Sequence, residues 1–206
     1  MKVLLMNGSP RPAGCTHRAL LEVEKQLQAE GIETEILHIG TTPIMGCTSC
    51  GICKEKGRCF QDDIVNNFAK LAETADGFVF GSPTYYADAS GPLTAFLNRL
   101  FYSAGDKLAQ KPGAAVASCR RAGAITALDH IQKYFLINNM PVMASQYWNV
   151  VHGSTPADVE KDLEGLQTMR SLAKNMAWML KCIEAGMEKG LPFPEYEKKV
   201  KTNFIR

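Results

Sequence analysis

Four closely spaced cysteines are the residues of this sequence best suited to chemistry. Their spacing is Cys-x2-Cys-x2-Cys-x5-Cys, and they are Cys47, Cys50, Cys53 and Cys59. Thiolates are soft ligands that select iron-sulfur clusters or zinc, and glycines between them let the chain turn tightly around a compact group. A zinc knuckle separates its two cysteine pairs by about a dozen residues or more, so the spacing favours iron-sulfur over zinc. The alternative is a loop of free thiols, or an occasional disulfide, without metal.

A second chemical feature is the segment 6–16, Met-Asn-Gly-Ser-Pro-Arg-Pro-Ala-Gly-Cys-Thr, which follows an apolar run at 3–5. With the amphipathic stretch at 16–30, this pattern predicts a strand, a loop and a helix. The unpaired N–H groups in the first turn of a helix attract an anion, and Ser9, Arg11 and Thr16 would add polar groups. The spacings of triphosphate-binding and dinucleotide-binding loops are both missing. The segment therefore predicts a monophosphate site, as for FMN, or else a plain turn.

Two more polar loops follow predicted strands and extend this candidate flavin site. The first reads Ser-Pro-Thr-Tyr-Tyr at 82–86, and the second reads Ser-Cys-Arg-Arg at 118–121. The rings of Tyr85 and Tyr86 have apolar faces and a polar edge, which suits a flavin ring. Arg120 or Arg121 can stabilise the negative charge that develops on a reduced flavin. The alternative is that the tyrosines only pack and the arginines are solvated.

The strands and helices that must position these loops are visible in the hydrophobic pattern. Strands are predicted at residues 3–5, 32–39, 77–81, 113–117 and 141–151, and helices at 16–30, 64–75, 91–101, 124–135 and 156–183, the last with Thr155 as its hydroxyl cap. Their alternation predicts an α/β fold of three layers around a parallel sheet with the strand order 2-1-3-4-5. In such a sheet the ligand binds beyond the carboxyl ends of the strands, between strands one and three. The three polar loops are expected to meet there.

The whole chain, residues 1–206, is predicted to form a single domain of this kind. A cysteine-rich loop without regular period spans residues 43–60, and an extended tail begins at about residue 190. The apolar stripe at 93–101 is expected to face the sheet or a partner subunit. The basic end of the tail is expected to be solvated, and its residues are Lys198, Lys199, Lys201 and Arg206.

Composition and charge exclude several classes of protein. With 21% charged and 46% hydrophobic residues, the chain has the composition of a globular domain. A net charge of +2 is too small to indicate a nucleic-acid partner. No apolar run has the length of a membrane span or of a signal-peptide core, so we expect a cytoplasmic protein without membrane partners. In that reducing compartment the seven cysteines are expected to be thiols or metal ligands.

The three loops together resemble the flavodoxin-like NAD(P)H-dependent FMN reductase family, and the cysteine spacing resembles its iron-sulfur flavoprotein branch. The resemblance covers nearly the whole chain. It implies a flavodoxin-like fold, bound FMN, NAD(P)H as a co-substrate, one [4Fe-4S] cluster on the four cysteines, and a homodimer or homotetramer. The FMN contacts that it implies are Ser9, Arg11, Cys15, Thr16, Pro83, Thr84, Tyr85, Tyr86, Ser118, Cys119, Arg120 and Arg121. The family commonly has another residue at position 15, so only the backbone of Cys15 is expected to contribute.

These observations predict an FMN-dependent oxidoreductase. Electrons would pass from NAD(P)H or a ferredoxin-like donor through FMN and the cluster to an acceptor. No catalytic side chain is expected, because the cofactors carry the reaction and the protein sets geometry and potential. One alternative is a cluster-free NAD(P)H-dependent reductase of flavins, quinones or azo compounds. The other is an electron carrier without enzymatic activity.

Overall fold

A largely parallel sheet forms the centre of the computed structural model, which describes residues 1–198, 200, 202 and 204. In that part of the chain the strands are β1 (Lys2–Asn7), β2 (Glu33–His38), β3 (Gly77–Tyr85), β4 (Asp88–Ala89), β5 (Gly113–Cys119) and β6 (Val150–His152). Their order is β2-β1-β3-β5-β6, and the short β4 pairs antiparallel with the end of β3. Among the parallel strands this is the predicted order, and the predicted α/β class is confirmed.

Helices cover both faces of the sheet. Those that the structure describes are α1 (Cys15–Ala29), α2 (Ile52–Lys56), α3 (Ile64–Leu71), α4 (Gly91–Ala104), α5 (Ala124–Ile137), α6 (Pro156–Val159) and α7 (Leu163–Glu188). Because neighbouring residues of a strand point to opposite faces, β1 sends Val3 and Leu5 to one core and Leu4 to the other. The first core packs against α1 and α7, and the second packs against α3, α4 and α5. The result is the predicted arrangement of three layers.

The apolar stripe of α4 faces the sheet of its own chain. Leu93, Phe96, Leu97 and Leu100 are all fully buried in one core with Phe80 of β3. The Ser90 hydroxyl accepts a hydrogen bond from the Leu93 N–H and caps the helix. Of the two expected positions for this stripe, the structure therefore shows the one against the sheet.

The predicted strand at 141–151 is wrong over most of its length. Only Val150–His152 is a strand, and a single isolated bridge joins Val142 to Gly113. Between them the Ser145 hydroxyl accepts a hydrogen bond from the Tyr147 N–H at 3.2 Å and donates one to the Tyr147 carbonyl at 2.5 Å. These local bonds hold the backbone in a turn and compete with pairing in the sheet.

The predicted last helix at 156–183 starts at its predicted cap, Thr155, but it is divided in two by a second cap and runs on to Glu188. Thr155 and Asp158 form a capping box on the one-turn helix α6. The Asp162 carboxylate then accepts a hydrogen bond from the Gly165 N–H at 2.9 Å and starts α7. A second N-cap ends the first helix and turns one predicted helix into two.

Other elements also differ from the pattern in extent: β1 spans Lys2–Asn7 rather than 3–5, and α3 ends at Leu71 rather than at 75. The strand β3 continues past the predicted 77–81 to Tyr85, since Ser82 and Pro83 still pair with β5. The cysteine-rich loop, predicted without regular structure, contains the single helical turn α2 between Gly51 and Gly57, whose φ angles are 76° and 66°. Positive φ favours glycine, so these two residues, rather than hydrophobic periodicity, set the turn.

The chain after α7 runs without helix or strand over residues 191–198, in the region of the predicted tail. The Gln110 side-chain amide donates a hydrogen bond to the Pro194 carbonyl at 3.3 Å. Of the basic end of the tail, Lys199, Lys201 and Arg206 lie outside the described residues. None of the helices in the described part of the chain combines the length and apolar character needed to span a bilayer.

Candidate functional site

A cleft opens beyond the carboxyl ends of β1, β3, β5 and β6. Its lining residues are Ser9, Arg11, Gly14, Cys15, Thr16, Pro83, Thr84, Tyr85, Ser118, Cys119, Arg120, Gly153 and Ser154. All of the predicted flavin contacts except Tyr86 and Arg121 belong to this set. The cleft therefore lies at the reversal of strand order, where the fold is expected to bind a ligand.

The loop between β1 and α1 is held in shape by polar side chains. The buried Asn7 side-chain oxygen accepts a hydrogen bond from the Ser9 N–H at 3.1 Å. The Ser9 hydroxyl in turn accepts one from the Arg11 N–H at 3.1 Å. From β2, His38 Nε2 donates to the Ser9 carbonyl at 2.8 Å. The backbone of this loop is thus fixed before any ligand binds, which lowers the entropy cost of binding.

The N-terminus of α1 points its free N–H groups toward this loop. Gly14 is the N-cap and offers no capping side chain, and no acidic residue lies in the first turn. The N–H groups of the first turn, which begins at Cys15, therefore keep their capacity for an anion. Arg11 is exposed at the rim and adds a positive charge.

The side chains of Cys15 and Thr16 have structural partners in other loops. The Thr16 and Ser118 hydroxyls share a buried hydrogen bond of 2.8 Å, which ties α1 to β5. The Cys15 thiol donates to the Gly153 carbonyl at 3.5 Å, and burial raises its pKa. At Cys15 the backbone N–H, rather than the thiol, is left for an anion. Either hydroxyl can donate in the bond between Thr16 and Ser118, and when Ser118 donates, the Thr16 hydroxyl keeps its hydrogen for an anion.

The end of β3 contributes an unsatisfied polar atom to the cleft. The Thr84 hydroxyl is buried and has no hydrogen-bond partner among the described residues. A buried hydroxyl without a partner is costly, so its presence indicates a ligand that supplies one. Pro83 and the half-exposed Tyr85 beside it provide an apolar and aromatic wall. An anion site at the start of α1, the aromatic side chain of Tyr85 and the unpaired hydroxyl of Thr84 together fit FMN.

Tyr86 is the first of the two predicted contacts outside the cleft. Tyr86 and Ala87 have φ angles of 49° and 60°, a conformation that costs a residue with a side chain about 1–2 kcal/mol. The turn is packed against Gly123, where an added Cβ would lie 2.8 Å from Ala87 Cα. This tight turn leaves the Tyr86 ring fully exposed.

Arg121 is the second predicted flavin contact outside the cleft, and it lines a neighbouring cavity. That cavity is also bordered by Tyr147, Trp148, His152 and the buried Thr168. Cys119 borders both this cavity and the flavin cleft. Burial raises the pKa of the Cys119 thiol, against a smaller opposing effect of a hydrogen bond from the Arg121 backbone. Cys119 is therefore a neutral thiol in the wall between two cavities.

Two residues that line the cleft, Gly153 and Ser154, were missed by the sequence analysis. They belong to the loop after β6, and the Gly153 N–H donates to the Cys119 carbonyl at 2.9 Å. A signal for them exists in the sequence, because they follow the apolar strand β6 and precede the Thr155 cap of a helix. That is the same pattern of strand, Gly-Ser loop and helix that marks residues 3–16.

Replacing Gly8 by alanine is expected to displace the loop after β1. The added Cβ would lie 2.7 Å from the Gly81 carbonyl oxygen, which is backbone of β3, and 2.8 Å from Leu93 Cδ2. We expect the free energy of unfolding to fall by about 1–3 kcal/mol and FMN content to fall with it. Denaturant unfolding and the flavin released on denaturation measure the two effects.

Gly91→Ala is the matched control for this prediction. A Cβ at Gly91 meets nothing within 4 Å, at the exposed first turn of α4. Stability and FMN content should therefore stay at the level of the unmodified protein. Equal FMN content in the Gly8 and Gly91 variants would contradict the tight packing inferred for Gly8.

The four cysteines of the cysteine-rich loop line one cavity, which we call the cysteine cavity. Cys47, Cys50, Cys53 and Cys59 all line it, together with Arg99 and Tyr102 of α4. The thiols of Cys47 and Cys50 are exposed, those of Cys53 and Cys59 are half-buried, and all are free. The Arg99 Nε donates to Cys59 Sγ at 3.4 Å. The structure thus brings the predicted ligand set to one cavity.

The arrangement of these thiols bears on what they could bind. Within the described residues, no three Cys, His, Asp or Glu side chains are close enough to hold a single metal ion. A cubane cluster binds each thiolate to a different iron, so it needs four thiols around one cavity rather than several converging on one point. Four soft ligands, with a cation beside one of them, fit such a cluster.

Comparisons with known proteins cover both cavities. A family model for NADPH-dependent FMN reductase matches residues 1–155. An iron-sulfur flavoprotein of Methanocaldococcus jannaschii is 35% identical over 192 residues, which are 89% of this chain and 100% of that protein. An iron-sulfur flavoprotein of Methanosarcina thermophila is 28% identical over 196 residues, 92% of this chain and 100% of that protein.

A solved structure agrees with the fold. A flavodoxin from the domain Archaea superposes with a TM-score of 0.59 at 17% identity, covering 88% of this chain and 99% of its own. At that identity the match supports the arrangement of strands and helices. The family model and the geometry of the cleft are what indicate FMN.

Proposed function

Because the chain belongs to the NADPH-dependent FMN reductase family, in its iron-sulfur flavoprotein branch, we propose that it is an FMN-dependent oxidoreductase with a [4Fe-4S] cluster as its second redox group. In this proposal NAD(P)H or a ferredoxin-like protein donates the electrons, and an external acceptor receives them. One observation carries it: a single chain has both a cleft suited to FMN and a cavity lined by four free thiols.

The phosphate of FMN would bind at the N-terminus of α1. The N–H groups of Cys15 and Thr16 and the hydroxyl of Ser9 supply donors, and the guanidinium of Arg11 supplies charge. The Thr16 hydroxyl has another task, since its bond to Ser118 holds α1 against β5. The loop has already oriented its backbone donors before the phosphate binds.

The ring and ribityl chain would lie along the ends of β3 and β5. Pro83 and Tyr85 supply a flat surface, and the unpaired Thr84 hydroxyl gains a partner from the ligand. Ser118, Cys119 and Arg120 border the far edge of the cleft. Tyr86 and Arg121 remain proposed ring contacts, reached from exposed positions at the rim.

When bound, FMN exchanges electron pairs with a hydride donor and single electrons with a one-electron partner. The residues of this chain orient that group and set its surroundings. Arg120 places positive charge beside the cleft, which favours the anionic reduced state. Cys15 and Cys119 have pKa values raised by burial, so they stay neutral thiols and offer no nucleophile.

The [4Fe-4S] cluster would be held by Cys47, Cys50, Cys53 and Cys59. It would supply one-electron transfer, and the protein would supply four thiolates in a single loop. A homodimer or homotetramer is part of the same proposal. Sedimentation of the holoprotein measures that state, and a monomer would contradict it.

Anaerobic mixing with nicotinamides tests the donor. We expect NADPH or NADH to bleach the flavin absorbance of the holoprotein, because the cleft is open to a hydride donor. Reduction with dithionite is the control, since it shows that the bound flavin can be reduced at all. Bleaching by reduced ferredoxin and dithionite but by neither nicotinamide would contradict the enzyme and indicate an electron carrier.

A further inference from the structure

Arg99 places a charge on the buried face of a helix that is otherwise apolar there. Only 1% of Arg99 is exposed, whereas Phe96 and Leu100 on the same face of α4 pack into the core. Arg99 does not line the flavin cleft. Burying a guanidinium is costly unless it is paired and hydrogen-bonded, so the partners of Arg99 indicate its purpose.

All three guanidinium nitrogens of Arg99 donate to the cysteine-rich loop or to the residues just after it. Nη1 and Nη2 donate to the two Asp63 carboxylate oxygens at 2.6 and 3.0 Å. Nη2 also donates to the Gln61 carbonyl at 2.9 Å, and Nη1 to the Met45 carbonyl at 3.4 Å. Nε donates to Cys59 Sγ at 3.4 Å. One side chain thus joins both ends of the segment that carries the four thiols.

The contact between Arg99 and Cys59 is fixed by two helices. Asp63 is the N-cap of α3, where its carboxylate accepts a hydrogen bond from the Val65 N–H at 3.0 Å. Burial alone would lower the pKa of the Arg99 guanidinium, but its bonds to Asp63 and Cys59 raise it, so the charge is permanent. Residues of α3 and α4 therefore hold the forked guanidinium group of Arg99 in place, and its Nε is directed at Cys59 Sγ.

Stability alone does not explain this arrangement. A buried ion pair adds little to stability on average, and apolar residues of similar volume can often replace it. What the guanidinium provides, beyond its bonds to Asp63 and to the two carbonyls, is an N–H donor and a positive charge at one of the four thiols.

We propose that Arg99 is a positioning residue that, acting through Cys59, raises the reduction potential of the [4Fe-4S] cluster and holds Cys59 toward the cavity; the inference rests on the proposed function. Hydrogen bonds to the ligand sulfurs and the net charge around a cluster set its potential. A donor and a cation beside Cys59 stabilise the more negative, reduced state. The reaction concerned is the uptake of one electron by the cluster, with no bond made or broken in the protein.

The test is a redox titration of anaerobically purified holoprotein carrying Arg99→Lys or Arg99→Gln. Lysine keeps the charge and loses the fork, whereas glutamine keeps a donor and loses the charge. We expect both variants to retain FMN. At a fixed potential the ratio of reduced to oxidised cluster should fall about tenfold, which corresponds to about 59 mV for a one-electron couple. Iron should also pass to a chelator faster.

Arg58→Ala is the matched control, because it removes a cation from the same loop. The Arg58 side chain is 61% exposed and pairs with Asp62 at the surface. The reduction potential of the cluster and the rate of iron release in Arg58→Ala should match those of the unmodified protein. An unchanged potential in both Arg99 variants, or an equal fall in Arg58→Ala, overturns the role of Arg99 and leaves the cluster in place.

Two further outcomes separate this inference from the proposed function. Unmodified protein that carries FMN but no iron overturns the cluster and the role of Arg99 together. Loss of iron from both Arg99 variants but not from Arg58→Ala, with FMN retained, supports the positioning of Cys59. If only Arg99→Gln loses its cluster, the reduction potential of the cluster in Arg99→Lys is the test. A lower potential supports the role of Arg99, and an unchanged potential overturns it.

Discussion

Replacing Cys50 by alanine is expected to abolish iron binding while FMN stays in place. Cys50 is one of the four thiols that line the cysteine cavity, and without it one iron of a cubane has no thiolate ligand in this loop, so we expect the cluster to be lost. Because Cys50 is exposed, the change of side chain by itself should alter the free energy of unfolding of cluster-free protein by no more than about 0.5 kcal/mol. Among the described residues, this cavity and the flavin cleft share no lining residue, so FMN binding should be independent.

Iron and FMN counted per chain in anaerobically purified protein measure this effect. The unmodified protein should contain about four irons, with broad absorbance beneath the flavin bands. Cys182→Ala is the control, since Cys182 is an exposed thiol on α7 outside the cavity. Unchanged iron in Cys50→Ala would show that the ligand assignment is wrong. FMN without iron in unmodified protein never exposed to air would favour a cluster-free reductase.

The position of the flavin cleft could be predicted because each of its main loops directly follows a buried strand in the sequence. The apolar run before Ser82 and the run of small residues before Ser118 both mark where a strand ends. In a parallel sheet these ends meet at one edge, so no knowledge of distant contacts is needed. The same local logic applies to Ser154, because the predicted strand at 141–151 ends one residue before β6 does.

The contacts that shape the cleft could not be predicted, because they join residues far apart in the sequence. Thr16 and Ser118, which share a hydrogen bond, are separated by 102 positions. Cys15 and Gly153, which share another, are separated by 138. A periodic pattern reports which face of an element is buried and carries no information about its polar partners. The sequence therefore indicated Thr16 as a phosphate ligand but gave no sign of its hydrogen bond to Ser118.

Arg99 shows the same limit at the cysteine-rich loop. The spacing of the cysteines identified a ligand set without help from the fold, because all four lie in one short segment. Helical periodicity predicted an apolar face for α4, and a charge on that face gave no hint of its purpose. Only the fold brings Arg99 to Asp63, 36 positions away, and to Cys59. The sequence could predict the four ligands of the loop, but it could not predict the contacts through which Arg99 supports that loop.

The double variant Arg11→Ala, Thr16→Val is expected to lose most of its FMN. Arg11 adds charge at the rim of the phosphate site, and a hydrogen bond from a charged group is worth about 1.5–3 kcal/mol. Valine at position 16 removes the hydroxyl that bonds to Ser118, which loosens the junction between α1 and β5. Since about 1.4 kcal/mol corresponds to a factor of ten, FMN affinity should fall by about 100-fold or more. Equilibrium dialysis of the apoprotein against FMN measures it.

Lys25→Ala is the control for the loss of charge, because Lys25 is an exposed cation farther along α1. If net charge alone attracted FMN, this control would weaken binding as much as Arg11→Ala does. If the phosphate binds at the helix N-terminus, the double variant should lose more affinity for FMN than for riboflavin, which lacks the phosphate, because the loosened junction affects both ligands and the loss of Arg11 affects FMN alone. Full FMN occupancy in the double variant would contradict the phosphate site, whereas an equal loss of riboflavin and FMN would point to the junction between α1 and β5 instead.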